Sequence, residues 1–168
     1  MKTRILSMIL FLLLALTLVA CFSCRPQAQE ISETTAPKHV FRKDGELRIK
    51  GPDGSVKGSF DIEIAETEEA LQTGLKFRES MEPNQGMLFV FDGRQSYGFW
   101  MQDTYISLDM LFINYENKIF YIAENTTPFS EEPIEPDGFN LYTLELNAGT
   151  CQKLNIQKGD TIEWKRTP

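Results

Sequence analysis

The apolar and polar positions of residues 40–168 follow the patterns of β-strands. In residues 60–64 three large apolar side chains alternate with two carboxylates, the period of two that puts apolar groups on one face of a strand. Other runs are apolar on both faces, which is typical of central strands covered on two sides. The later predicted strands are residues 87–91, 97–101, 108–113, 119–122, 141–146 and 161–164.

Two short helices are predicted between these strands. The hydroxyl of Thr67 can cap a helix, and the two glutamates that follow it would lie at the positive end of that helix. Gly74 is placed to end the helix after two turns, so residues 67–73 are predicted to be helical. A second short helix is predicted near residues 150–154.

Turns and one long loop separate the remaining strands. Asp92-Gly93 predicts a turn between the runs at 87–91 and 97–101. Residues 126–140, the acidic loop, contain three prolines and four carboxylates and cannot form a central strand; a loop of this length is often functional. Seven or eight short strands with one or two short helices predict a mainly β fold, an antiparallel sandwich or barrel.

The first twenty residues have the pattern of an export signal. Two cations precede an apolar run over residues 5–20, which as a helix would reach about 24 Å, short of the roughly 30 Å hydrocarbon core of a bilayer. The run ends in Leu18-Val19-Ala20-Cys21, which resembles the lipobox of bacterial lipoproteins. The resemblance implies cleavage before that cysteine and a diacylglycerol on its sulfur. The alternative is an ordinary signal followed by an incidental cysteine.

This pattern predicts three parts: a lipoprotein signal peptide over residues 1–20, a lipidated cysteine with a flexible tether over 21–39, and one β domain over 40–168. The tether is rich in Ser, Thr, Gln, Glu and Pro and cannot bury enough apolar surface to fold. Its mean reach is about 20–25 Å. With acyl chains on Cys21, the protein is predicted to be exported and lipid-anchored to a bacterial membrane, facing the periplasm or the cell exterior.

Two cysteines remain after Cys21. In an oxidising compartment Cys24 and Cys151 could form a disulfide, which would pull the domain towards the membrane. The alternative, which we favour, is that Cys24 simply lies beside the anchor and Cys151 is a small buried apolar residue.

The charge of the chain argues against one class of partner. The formal net charge is −7, and removal of residues 1–20 takes away two cations, so the mature chain carries −9. A surface this acidic repels the phosphates of nucleic acids and anionic lipid headgroups. No nucleic-acid partner is therefore predicted.

Five ordered segments resemble one known family. The resemblance, to the DUF192 family (also called UPF0127), covers residues from about 60 to 164. It implies a compact jelly-roll-like β fold in exported proteins of bacteria and archaea, and no established activity. The chain departs from the family pattern at Lys76, Gln102 and Asp103, which changes the local charge. The segments are Gly74-Leu75-Lys76-Phe77-Arg78, residues 86–91, Phe99-Trp100-Met101 with Thr104, residues 108–113, and residues 144–149.

Most conventional catalytic sites are excluded by residue type. The single histidine, His39, lies in the predicted tether, so Ser-His, Cys-His and His-metal mechanisms lack their base or ligand. Neither the G-x-x-x-x-G-K-[ST] nor the G-x-G-x-x-G phosphate-binding motif occurs. No metal site and no cofactor are predicted.

Carboxylates, one arginine and aromatic residues remain as candidates. Glu145 interrupts an apolar strand, and an unpaired buried charge is costly, so a partner is expected. One interpretation is a structural ion pair, Arg78 with Glu145 or Arg78 with Asp109, or an outward-facing Glu145. The other is a small polar pocket. The candidate binding residues are Arg78, Trp100, Asp103, Thr104, Asp109 and Glu145.

Alternation separates the aromatic residues of the 97–101 run. Tyr97, Phe99 and Met101 share one face, and Trp100 lies on the other, so only one set would be available to a ligand. Core packing is the more common role for such a cluster.

Three functions are compatible with these residues. The first is a non-catalytic ligand-binding or envelope accessory module, whose partner is a small molecule or an envelope protein and whose rim is the acidic loop. The second is a two-carboxylate hydrolase acting on an envelope glycan, which requires two carboxyl groups about 5–10 Å apart. The third is a structural, partner-docking lipoprotein. The usual catalytic bases are absent, which favours the ligand-binding or accessory module. A binding function is therefore favoured over an enzymatic one.

Overall fold

The computed structural model describes residues 40–168. The predicted signal peptide, the lipidation at Cys21, the tether and Cys24 lie outside the described residues. Within them, no helix is both long and apolar enough to cross a bilayer.

Seven strands and two short helices make up the domain. The strands are β1 (Gly45–Lys50), β2 (Val56–Ala65), β3 (Gln85–Gln95), β4 (Leu108–Ile113), β5 (Ile119–Ala123), β6 (Asn140–Asn147) and β7 (Thr161–Arg166). The helices are α1 (Glu68–Thr73), between β2 and β3, and α2 (Thr150–Leu154), between β6 and β7.

All seven strands belong to one curled sheet with the order β5-β4-β6-β3-β2-β1-β7. Neighbouring strands are antiparallel except β2 and β3, which are parallel because α1 carries the chain back across the sheet. The two edge strands meet at one end, where the Ile119 N–H donates to the Asp160 carbonyl and the Ile162 N–H donates to the Asn117 carbonyl, both at 2.8 Å. The mainly β, barrel-like fold predicted from the sequence is confirmed, with one parallel pair inside it.

The central strands are buried on both faces, as their continuous apolar runs predicted. One face contributes side chains such as Ile62, Leu88 and Leu144 to the core enclosed by the curled sheet. The alternate positions of the same strands, among them Phe89 and Phe112, form a second core on the outer face. Helix α1 and the segments around residues 97–106 and 134 cover that outer core.

Helix α1 begins and ends as the sequence predicted. The Thr67 hydroxyl accepts a hydrogen bond from the Ala70 N–H at 3.2 Å, and the Gly74 N–H donates to the Ala70 carbonyl at 2.9 Å. Gly74 has a φ of 49°, and a Cβ at this position would lie 3.0 Å from Cζ of Phe89. Only glycine allows the helix to turn this closely against β3.

Two local predictions were wrong. Asp92-Gly93 does not turn the chain, because β3 continues to Gln95, and residues 97–101 do not form a strand. Phe99 instead pairs with Ile134 of the acidic loop in one isolated bridge, with hydrogen bonds of 3.0 and 2.7 Å. The prolines of that loop prevent the bridge from extending into a ladder. Residues 97–104, the covering segment, therefore lie over the sheet instead of joining it.

Candidate functional site

A cleft of about 480 Å³ lies between helix α1 and the covering segment. Phe89 and Phe91 of β3 line it, together with Leu71 of the helix and Tyr97 and Phe99 of the covering segment. The volume is in the range of small-molecule sites, and the mixture of apolar walls with few polar groups is typical of them.

The aromatic walls of the cleft are packed against one another. The rings of Phe91 and Tyr97 are stacked, with centroids 3.9 Å apart, and Phe89 meets Phe99 edge to face at 5.0 Å. Because these rings hold each other in place, the cleft offers a preformed apolar surface.

Trp100 and Lys76 are cleft-lining residues on opposite walls. The Trp100 side chain is half exposed and Met101 beside it is buried, but Tyr97 and Phe99 line the cleft together with Trp100, so both sets of the 97–101 run are available to a ligand. The Lys76 ammonium lies 6.0 Å from the centre of the Trp100 ring, at the outer limit of a cation–π contact.

Glu145 of β6 is the one carboxylate among the described residues that line the cleft. Its side chain is 4% exposed, and no hydrogen bond or ion pair with residues 40–168 engages it. Burial raises its pKa to about 8, and the positive charge of Arg78 opposes that rise. At neutral pH the Glu145 side chain is therefore mostly a neutral carboxylic acid that faces the cleft.

Glu145 belongs to a row of four side chains across the sheet, one from each of β2, β3, β6 and β4. Strand register aligns Glu63 with Met87, Met87 with Glu145, and Glu145 with Met110. Since neighbouring strands are about 4.8 Å apart, the Cα atoms of the two glutamates are separated by about 10 Å.

Arg78 forms its ion pair with Glu63 and not with either of the partners considered from the sequence. Both side chains are about 5% exposed. Glu63 also accepts the Arg42 N–H at 2.7 Å, which further fixes its carboxylate. The Arg78 Nε–H is buried without a hydrogen-bond partner among the described residues. Arg78 thus lies close enough to Glu145 to influence its pKa, but its charge is neutralised by Glu63.

Asp109 has a structural environment. Its two carboxylate oxygens accept the N–H groups of Asn125 at 2.9 Å and Cys151 at 2.8 Å, and the residue is fully buried. It precedes Met110, which shares a face with Glu145, so Asp109 points to the opposite face of β4. Cys151 is buried and forms no disulfide within residues 40–168, and the pKa of its thiol is raised by burial and by the charge of Asp109.

Asp103 and Thr104 position neighbouring loops. Asp103 has a φ of 56°, and its carbonyl accepts the Phe77 N–H at 2.8 Å. Thr104 is buried and lines the cleft, and its carbonyl accepts the Phe129 N–H at 3.3 Å. Of the six residues proposed from the sequence, Trp100, Thr104 and Glu145 line the cleft. Arg78 lies near Glu145 without lining the cleft, and Asp103 and Asp109 do not line it either.

The backbone contacts of residues 103–104 bring together an exposed aromatic patch, Phe77, Tyr105 and Phe129. The Tyr105 ring contacts the other two, with centroid distances of 6.3 Å to Phe77 and 5.2 Å to Phe129. Both phenylalanines are 59% exposed and have left-handed backbones, with φ of 62° and 61°. Bulky residues rarely adopt this conformation. Sequence reasoning missed this patch, since isolated phenylalanines ordinarily indicate a core.

No group of three or more His, Cys, Asp or Glu residues within 40–168 has the arrangement of a metal site.

Among the solved structures that resemble the chain are the following two. A protein of Sinorhizobium meliloti, provisionally described as a transcription regulator, is 36% identical with a TM-score of 0.71, and the match covers 75% of this chain and 97% of that one. A protein of unknown function from Novosphingobium aromaticivorans is 33% identical with a TM-score of 0.67, and the match covers 71% of this chain and 84% of that one. No curated protein matches the chain.

The family model that matches is DUF192, described as an uncharacterized ACR, over residues 50–164. This span contains every residue that lines the cleft, together with Glu63 and Arg78. It is also the family that the five sequence segments indicated. The chain belongs to the DUF192 family.

Proposed function

We propose that this protein is a non-catalytic binding module that takes a small molecule into the cleft above Glu145. The observation that carries the proposal is the Glu145 carboxyl group, which is nearly fully buried, unpaired within residues 40–168 and directed at an aromatic cleft. A ligand that covered this carboxyl group without a hydrogen bond would meet a cost of about 1–3 kcal/mol. A ligand that hydrogen-bonds to it avoids this cost and gains the apolar contact of the walls.

The two other functions considered from the sequence account for fewer of the observations. A two-carboxylate hydrolase needs a second carboxyl group facing the substrate, and the nearest aligned carboxylate, Glu63, is held by Arg78 and by a backbone N–H. A purely structural role explains that ion pair. It leaves the unpaired Glu145 unexplained.

The binding test is a thermal-shift screen of the mature chain against saccharides, peptidoglycan fragments and neutral aromatic amides and ketones. A ligand at about 100 times its dissociation constant stabilises by about 2.7 kcal/mol, which raises the melting midpoint by several degrees. The shift should disappear in Trp100→Ala and persist in Phe139→Ala, a matched removal of an exposed aromatic outside the cleft. A library without any shift that depends on Trp100 would contradict the proposal.

We further propose that the module is attached to a bacterial membrane through acyl chains on Cys21. The support is the lipobox-like sequence before this residue and the polar tether after it. Labelling of cells with radioactive palmitate tests it. The wild-type chain should carry label and sediment with membranes, and Cys21→Ser should lose the label while Cys24→Ser keeps it. Equal labelling of the wild type and Cys21→Ser would refute the anchor.

DNA binding, suggested by the description of the Sinorhizobium protein, is not extended to this chain. Its net charge of −7 opposes association with a polyanion, because phosphate binding depends on exposed Lys and Arg. The absence of salt-dependent retention on a DNA column would agree with this proposal.

A further inference from the structure

We infer that the cleft selects uncharged ligands in which a ring carries a hydrogen-bond acceptor, such as an amide or ketone carbonyl, and that the Glu145 carboxyl group donates the hydrogen bond to that acceptor. The inference rests on the proposed function and specifies the chemical class of its ligand.

The charges around Glu145 are balanced when its carboxyl group is neutral. Glu63 of β2 and Arg78 neutralise each other, and the aligned positions on β3 and β4 are the uncharged Met87 and Met110. The segment after α1 contributes Lys76, opposite Trp100. In this arrangement a neutral Glu145 leaves the buried row of side chains uncharged overall, without any counterion from a ligand.

The remaining elements add only polar or peripheral groups. Gln72 and Thr73 of α1 and Tyr97 and Thr104 of the covering segment line the cleft without a carboxylate. The acidic loop contributes Glu135, whose side chain lies beside Gly98 at the covering segment. The pKa of Glu145, raised to about 8 by its burial, agrees with a protonated group at neutral pH.

A charged ligand would be costly to bury next to Glu145. A cationic ligand would require Glu145 to ionise and would create a second buried ion pair, which needs excellent geometry to repay its desolvation. An anionic ligand that reached Glu145 would be a buried charge beside Arg78, which is already paired, while the cleft-lining cation Lys76 lies at the Trp100 ring. A carbonyl acceptor needs no movement of charge, and one hydrogen bond satisfies the carboxyl proton.

The walls of the cleft suit a ring in both shape and chemistry. Stacked Phe91 and Tyr97, with Phe99 and Trp100 beside them, offer flat apolar surfaces to a ring. Aromatic rings that stack or meet edge to face are stabilised beyond the effect of their buried area. The ring of such a ligand would therefore pack against these walls, and its acceptor would take the hydrogen bond from Glu145.

The test uses three probes of nearly equal shape and different charge: benzamide, benzamidine and benzoate. Binding to the full mature chain is followed by NMR through the indole N–H signals. The chain has two tryptophans, Trp100 at the cleft and Trp164, which packs against Tyr142 elsewhere, so the second signal is an internal control. Trp164→Phe assigns the two signals.

The expected result is that benzamide shifts the Trp100 signal and binds at least tenfold more tightly than either charged probe. Its affinity should be constant below pH 7 and fall about tenfold per pH unit well above pH 8, as Glu145 loses its proton. Glu145→Gln keeps a donor without a titrating proton, so it should retain benzamide binding and abolish this pH dependence. Glu145→Leu should lose the binding.

Three outcomes would overturn the inference: tighter binding of benzamidine or benzoate, an affinity for benzamide that rises above pH 8, or no Trp100 response to benzamide at about 10 mM, well above a dissociation constant of about 1 mM. The first two would leave the cleft as a binding site for another class of ligand. The proposed function fails separately, when the thermal-shift screen yields no stabilisation that depends on Trp100.

Discussion

Glu63 and Glu145 are aligned with the same residue, Met87, from the strands on either side of it, yet only Glu63 has an ionic partner. Arg78 forms an ion pair with Glu63, and the Arg42 N–H donates a hydrogen bond to the same carboxylate at 2.7 Å. Glu145 is left as a buried acid facing the cleft. Two glutamates on one face of one sheet therefore have different environments.

Replacement of Arg78 by methionine should destabilise the domain by about 3–5 kcal/mol, because it removes the buried cation that pairs with the Glu63 carboxylate. Urea unfolding at pH 7 measures the change. The double variant Glu63→Gln with Arg78→Met removes both charges and should recover part of the loss. If the single variant lost less than about 1 kcal/mol, the ion pair would contribute little to the fold.

The stability of the wild type should fall as pH rises from about 4.5 to about 8, relative to Glu145→Gln. The pKa of Glu145 is raised on folding, so in this range the native state holds a proton that the unfolded state has released. The slope attributable to Glu145 is about 1.4 kcal/mol per pH unit. Above pH 8 both states are ionised and the difference becomes constant. Urea unfolding of the two proteins at several pH values would reject this account if the profiles ran parallel.

Gly74→Ala should cost about 1–3 kcal/mol of stability, because alanine is strained at a φ of 49° and its Cβ would press on the Phe89 ring. Gly54→Ala is the matched control. Gly54 also has a positive φ, but a Cβ there meets nothing within 4 Å. Thermal unfolding should rank the Gly74 variant as the less stable of the two. Equal losses would mean that the contact with Phe89 has no effect.

Phe129→Asn should leave stability unchanged or raise it by up to about 1 kcal/mol. Phe129 is exposed and has a left-handed backbone, and asparagine adopts this conformation more readily than phenylalanine. Tyr115→Asn replaces another exposed aromatic side chain and serves as a comparison. A loss of more than about 1 kcal/mol in urea unfolding of Phe129→Asn would show that the ring contact with Tyr105 stabilises the domain.

Local signals in the sequence determined the elements. The alternation of residues 60–64 placed the apolar face of β2, and Thr67 and Gly74 fixed the limits of α1. These features act between residues close in the chain, through side-chain period and helix capping, so the sequence alone reveals them. The same kind of reasoning failed for residues 97–101, because their apolar pattern suits a strand as well as a segment that packs over a sheet.

The sequence by itself determined a mainly β domain of the DUF192 family with a carboxylate, Glu145, in an apolar strand. Only the tertiary structure decided that Arg78 pairs with Glu63, that Asp109 faces away, and that Glu145 opens onto a cleft. Such choices depend on the register of distant strands and on the path of the covering loops. A shift of one residue in that register would turn each of these side chains to the other face of the sheet.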